Sequence, residues 1–167
     1  LVAPSGAGKT TVANILCEQY GFKQVVSYTT RKPRYKNELG HIFVTCEQFN
    51  CLTNICAYTE FDGNKYCATS EQVDNADIYI IDKKGIQYFK EHYVGAKKPI
   101  VVFMSISEKC ATNRMRIRGD TDEMIARRLE NDRIEFKDVA DIADCVISNG
   151  NSPQTALKIK SILEKED

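Results

Sequence analysis

Apolar positions fall in two rhythms along this chain. Ile78–Ile81 ("IYII") and Ile100–Ile106 ("IVVFMSI") are almost unbroken apolar runs, the pattern of strands buried on both faces of a parallel sheet. Leu1–Ala3, Val25–Ser27, Ile42–Val44 and Cys145–Ser148 read as further short strands. Between them, residues recur at helical spacing: Val12, Ile15, Leu16 and Gln19, the last polar, in a helix from Thr10 to Tyr20 that Gly21 stops, a segment from Ile86 to Tyr93, and Ile125, Leu129 and Phe136 within Asp120–Phe136. Thr45 with Gln48 forms a capping-box signature for a helix over Cys46–Asn54. Ser107 can cap a helix running towards Arg116, and Ser152-Pro153 opens a closing helix.

Residues 27 to 70 break this alternation. "YTTRKPRYKNELG" is polar and basic and is interrupted by Pro33 and Gly40, which predicts a loop or irregular edge. Ala57–Phe61 and Lys65–Ala68 flank "DGN", a hairpin signal. The whole reads as an α/β fold with a parallel sheet flanked by helices, carrying a small appended subdomain.

Composition narrows the choice little. A chain of 167 residues suits one compact domain. Lys plus Arg and Asp plus Glu number 23 each, so general adhesion to nucleic acid or membrane is not expected and any basic site must be local. The longest apolar run is strand-sized, and no secretory or transit segment is visible. The chain opens on Leu1 without a methionine, which predicts that residues precede it. Seven cysteines include no C-x-x-C pair, and the spacing of Cys46, Cys51 and Cys56 does not match a zinc-finger interval. Reduced thiols in a cytoplasmic protein are expected, and the oligomeric state is left between monomer and homodimer.

The chemistry concentrates in "APSGAGKTT", Ala3 to Thr11. Strand, glycine loop and helix in that order are what a phosphate cradle needs, because glycines let successive N–H groups turn inward and the helix aims its positive end at the anion. Ser5, Gly6, Ala7, Gly8, Lys9, Thr10 and Thr11 are the candidate ATP phosphate-binding residues. Lys9 would reach the β- and γ-phosphates, and the Thr10 hydroxyl would ligate Mg2+. Ala3 stands where the G-x-x-x-x-G-K-[ST] pattern has its first glycine, which is tolerable at negative φ.

A second candidate anion site is "SYTTRKPR", where Arg31 and Arg34 lie among the hydroxyls of Ser27, Tyr28, Thr29 and Thr30. By itself this stretch also reads as a solvated basic loop. Arg114, Arg116, Arg118, Arg127 and Arg128 flank "GDTD" without a matching carboxylate at every turn. These arginines suit a positive lid over a transferring group, or a helix face balanced by Glu123, Glu130 and Asp132.

Taken together, "APSGAGKTT", "VSYTTRKPR", "FDGNKY", "IDKKG" and "RIRGDTDEMIARRL" resemble the guanylate kinase family of P-loop nucleoside-monophosphate kinases, in its order and near its spacing. The resemblance implies ATP-dependent phosphoryl transfer to a nucleoside monophosphate, GMP or dGMP by default, with Mg2+ accompanying ATP. It implies a single domain with a core of 1–26, 71–112 and 131–167, an acceptor-binding insert of 27–70 and a lid of 113–130, the last two closing over the substrates. Ser27, Arg31, Arg34 and Tyr66 would bind the acceptor monophosphate, with Asp82 near the acceptor and the magnesium shell. Arg114, Arg118 and Arg128 would serve catalysis with Lys9, and Asn149 would lie near the adenine.

The chain departs from the family's pattern where guanine is read. Ala57 replaces a glutamate, Ala68 a serine or threonine, and Ile80 the first carboxylate of a D-x-D pair, while Ile42 falls where a phosphate-binding tyrosine is expected. Losing one acceptor costs roughly 1–3 kcal/mol. Thr59, Glu60 or Thr69 could substitute if the hairpin register is shifted, although Glu60 would face away in a regular strand. Two alternatives follow: a P-loop kinase of another acceptor, such as a different nucleotide or ribose bisphosphate, or a non-catalytic guanylate-kinase-like binding module.

Overall fold

The computed structural model describes residues 1–33 and 35–165. Its elements, in chain order, are α1 (Lys9–Tyr20), β1 (Ser27–Thr29), β2 (His41–Phe43), α2 (Cys46–Asn50), β3 (Ile55–Phe61), β4 (Asn64–Thr69), α3 (Ser70–Asp74), α4 (Lys83–His92), β5 (Val102–Ser105), α5 (Glu108–Arg118), α6 (Asp122–Glu135), β6 (Cys145–Ser148) and α7 (Ser152–Leu163), with a 3-10 turn at Val139–Asp141. They form two compact units, Leu1–Gly21 with Pro99–Asp167, and Phe22–Lys98.

The first unit is the α/β layer. β5 and β6 run parallel with Val102 opposite Cys145 and Ser105 opposite Ser148. Val2 joins the other side of β5 through a parallel bridge to Phe103, its N–H bonded to the Val102 carbonyl at 3.0 Å. The chain then passes through the glycine loop into α1, which packs against α7. Leu16, Met104, Met115 and Ile159 are fully buried here. A smaller cluster of Ala111, Met115 and Ile125, flanked by Ile106 and Leu129, ties α5 to α6.

The second unit holds a four-stranded sheet in the order β2-β1-β4-β3. β1 pairs parallel with β2, Ser27 opposite His41, and antiparallel with β4, Thr29 opposite Tyr66. The β3–β4 hairpin turns at Asp62 and Gly63, with φ of 48° and 70°. Positive φ at both turn residues is the geometry that matches strand twist in a two-residue hairpin, and an Asp-Gly pair adopts it readily. Val25, Cys56, Ala57, Ala68, Val73, Ala76 and Phe89 form the core beneath, with Tyr79 and Ile81 against it.

Two expectations need correction. The run Ile78–Ile81 is not a strand: it makes one parallel bridge, Ile78 to Gln24, before Asp82 caps α4. Its apolarity records packing on the core, not a ladder. The helix expected over Cys46–Asn54 ends at Asn50, followed by Asn54 at φ 55°. The capping box that starts it is present, with Gln48 N–H on the Thr45 hydroxyl and Thr45 N–H on Gln48 Oε1.

Candidate functional site

The glycine loop has the backbone its sequence requires. Gly6 and Gly8 sit at φ 70° and 83°, where residues with a Cβ are strained. A Cβ on Gly6 would also lie 2.8 Å from the Ala111 carbonyl oxygen, so α5 packs directly on the loop. Outside glycine, positive φ among the described residues is confined to Asn37, Asn54 and Asp62, so Ala3 takes an ordinary backbone and its methyl is accommodated.

The carbonyl side of the loop is fastened from outside. Arg114 donates from Nη1 to the Gly6 and Ala7 carbonyls, both at 3.3 Å, and from Nη2 to those of Asn149 and Gly150 at 3.0 and 3.4 Å. Asn149, 1% exposed, donates from Nδ2 to the Ala7 carbonyl at 2.5 Å and accepts from the Thr155 hydroxyl at 2.9 Å. Both side chains expected at the nucleotide therefore spend hydrogen bonds on the shape of the loop. The Lys9 ammonium folds back on the carbonyls of Ala3 and Pro4.

The helix end is treated differently. Helices α2 to α7 each accept a hydrogen bond from an N-terminal N–H on a capping side chain, whereas α1 starts at Gly8 with no side-chain cap and no acidic residue in its first turn. Thr10 and Thr11 are exposed on that turn. A helix start with positive dipole and neither a side-chain cap nor a first-turn carboxylate is suited to an external anion.

Residues 113–130 span the end of α5, the Gly119–Thr121 link and the first half of α6. Three of the arginines here, Arg116, Arg118 and Arg128, find carboxylates, while Arg114 bonds backbone carbonyls. Arg116 pairs with Asp122 at 3.0 Å. Asp120 takes Arg118 in a two-pronged contact and stands 3.6 Å from Arg128 Nε. That Nε is buried and has no hydrogen-bond partner among the described residues. The Arg118 guanidinium holds the Asp120 carboxyl below the usual carboxylate range, with Arg128 adding to the effect.

The second unit carries the acceptor candidates. Ser27 is buried, and its hydroxyl lies 3.0 Å from His41 Nδ1. The His41 ring meets Tyr66 edge-on at 5.7 Å. Arg31 stands over the Phe43 ring at 5.3 Å, and its hydrogen bonds to Glu38 raise its already high pKa. Strand register explains the gathering, since Ser27 faces His41 across β1–β2 and Thr29 faces Tyr66 across β1–β4. His41 was missed from sequence because the tyrosine expected in this stretch drew attention to Ile42, which is 39% exposed. Arg34 lies outside the described residues.

At the positions expected to read guanine, Ala57 and Ala68 pair across the hairpin and are 1% and 0% exposed within the apolar core. Thr59, two residues on and opposite Tyr66, donates to Asp82 Oδ2 at 2.7 Å, while Asp82 Oδ1 accepts the Gly85 N–H at 2.6 Å. Of the other candidate substitutes, Thr69 caps α3 and exposed Glu60 accepts from the Tyr58 hydroxyl.

An uncapped helix behind a glycine loop and lysine, with arginine-bearing helices in the same α/β unit, defines a P-loop nucleoside-monophosphate kinase fold. The family model for guanylate kinase matches residues 1–166. A guanylate kinase of Photobacterium profundum is 30% identical over 98% of this chain and 85% of its own length, and one of Aromatoleum aromaticum is 35% identical over 94% and 81%. The crystal structure of guanylate kinase from Anaplasma phagocytophilum superposes with a TM-score of 0.73 at 28% identity, covering 99% of this chain and 84% of that one. The chain belongs to the guanylate kinase family.

Proposed function

We propose that this protein transfers the terminal phosphoryl group of ATP to GMP or dGMP, giving ADP and the nucleoside diphosphate. The observation that carries this reading is the uncapped start of α1 behind Gly6 and Gly8, with Lys9 beside it. On this reading the ATP phosphates take the amides of Gly6 and of residues 8–11, since the Ser5 and Ala7 N–H groups are engaged by Asp132 and Pro4, and Lys9 leaves the Ala3 and Pro4 carbonyls for the β- and γ-phosphates. Arg118 and Arg128 cover the group in transfer; the orphaned Arg128 Nε is a donor suited to a phosphate oxygen. Arg31, Ser27 and Tyr66, with Arg34, hold the acceptor phosphate. One of its oxygens attacks the γ-phosphorus as the bond to ADP breaks, and the surrounding cations stabilise the spreading negative charge.

Mg2+ fits the donor site. The described residues hold no cluster of three or more acidic, His or Cys ligands. Thr10 would supply one hydroxyl, with phosphate oxygens and water as the other ligands. Bound there, the ion would neutralise phosphate charge. Base selection falls to polar groups other than Ala57 and Ala68, and the Thr59–Asp82 pair is the candidate, since a carboxylate can accept from guanine N1–H and the 2-amino group.

A cytoplasmic setting is part of this reading, since the cysteine spacing suits reduced thiols better than a disulfide framework. Among the described residues no helix is long and apolar enough to cross a membrane. An ADP-release assay with Mg-ATP against GMP, dGMP, AMP, UMP and ribose phosphates tests the proposal. GMP and dGMP are expected to give the highest kcat/KM; activity confined to sugar phosphates, or absent with every monophosphate, overturns it.

A further inference from the structure

We propose that Asp132 is a positioning residue of the donor site, holding the phosphate loop in shape from helix α6. This rests on the loop being the ATP site. The Ser5 backbone N–H donates to Asp132 Oδ2 at 2.9 Å, and the Ser5 hydroxyl lies 3.3 Å from Oδ1. Both oxygens of one carboxylate thus fall on one loop residue, 127 positions away in sequence. Neighbouring Glu130 on the same helix pairs with Arg133 instead.

The loop needs such a grip. Gly6 and Gly8 supply its turn and bring the greatest backbone freedom to be lost when it orders. Arg114 and Asn149 fasten the carbonyls of Gly6 and Ala7, but they act on the C-terminal limb. Asp132 fastens the N-terminal limb, through a charge-assisted bond of the stronger kind. A carboxylate would repel ATP phosphates rather than ligate them, so its effect on ATP runs through Ser5. Asp132 also lies four residues after Arg128 on α6, hence on the same helical face. One face therefore presents a guanidinium for phosphate and a carboxylate for the loop that receives it. A shift of α6 that brings Arg128 to the donor is transmitted to Ser5 directly.

The test is steady-state kinetics with both substrates varied, together with the Kd of ATP measured without acceptor. Asp132→Ala is expected to raise KM and Kd for ATP about tenfold, the loss of one charge-assisted hydrogen bond, with KM for the acceptor moved less than about twofold. Asp132→Asn keeps an acceptor for the Ser5 N–H and is expected to fall between, which keeps the test open if the alanine variant does not fold. A lower Tm with ATP affinity unchanged in the asparagine variant makes the contact merely structural and overturns the proposal. Lys9→Ala is the control for the underlying reading. If Lys9→Ala abolishes turnover while both Asp132 variants bind ATP normally, the Asp132 role alone is wrong. If Lys9→Ala is fully active, the donor-site reading has failed first and the Asp132 role falls with it.

Discussion

Arg31 and Glu38 meet edge to edge, Nη1 3.1 Å from Oε2 and Nη2 2.8 Å from Oε1, with the two side chains only 14% and 7% exposed. A two-pronged pair of this kind fixes the plane of the guanidinium as well as its charge. Glu38→Gln is expected to raise KM for the acceptor about tenfold, the loss of a charged hydrogen bond, and to leave KM for ATP unchanged. Arg31→Ala is expected to weaken acceptor binding further. If either variant instead loses ATP affinity, the donor and acceptor assignments are exchanged.

Lys9→Ala removes the ammonium proposed to reach the triphosphate, which here contacts the Ala3 and Pro4 carbonyls. Turnover is expected to fall about 100- to 1,000-fold, as when one preorganised donor to transition-state charge is lost. The Tm without nucleotide should hardly move. Wild-type kcat in this variant would contradict the phosphate-cradle assignment.

Asp120 gives a prediction in pH. Its folded pKa is depressed by Arg118 and Arg128, so the pair stabilises the fold above the ordinary aspartate value and loses that contribution as pH falls through the folded one. The Tm difference between the wild type and Asp120→Asn is expected to stay level from pH 8 to pH 5 and to shrink below about pH 4. A difference that grows on acidification would mean the carboxylate is not paired as described.

Ala57 is buried among Val25, Cys56, Ala68 and Phe89. A glutamate there would bury a carboxylate in this apolar cluster, at a cost of about 3 kcal/mol. Ala57→Glu is therefore expected to lower Tm by about 6–12 °C. Thermal melts with and without GMP decide the matter: a variant as stable as the wild type that binds GMP more tightly would show that the pocket still accepts the family's glutamate.

Thiol chemistry separates the cysteines. Burial, helped by neighbouring Cys56, pushes the Cys67 thiol up to about 12, and burial also raises Cys56. Cys46, Cys51 and Cys110 are exposed. Iodoacetamide at pH 7.5 is expected to modify the exposed three and spare Cys56 and Cys67 in the folded protein, as read by peptide mass mapping.

Much of this was legible in the residues. The capping box at Thr45, the Asp62-Gly63 turn, the Gly21 stop of α1 and strand Cys145–Ser148 are local signals, each decided within a few positions. Ile78–Ile81 was not, because an apolar run reports burial and leaves open whether a neighbouring strand pairs along its length. The glycine loop could be read for the same local reason. The partners that shape it could not: Asp132, Asn149 and Arg114 reach it from more than a hundred positions away, and no spacing rule spans that gap. Asp132 looked like a counter-charge on a helix surface until the fold brought it to Ser5.

The missing cap on α1 reaches beyond catalysis. Among the described α-helices its opening turn is the one without a side-chain cap, so on the proposed function the nucleotide would also be a structural part with its own place in the backbone bonding. Amide hydrogen exchange at Thr10 and Thr11 should run fast in the bare protein and slow sharply once ADP or ATP is seated, while the side-chain-capped starts of α5 and α7 change little.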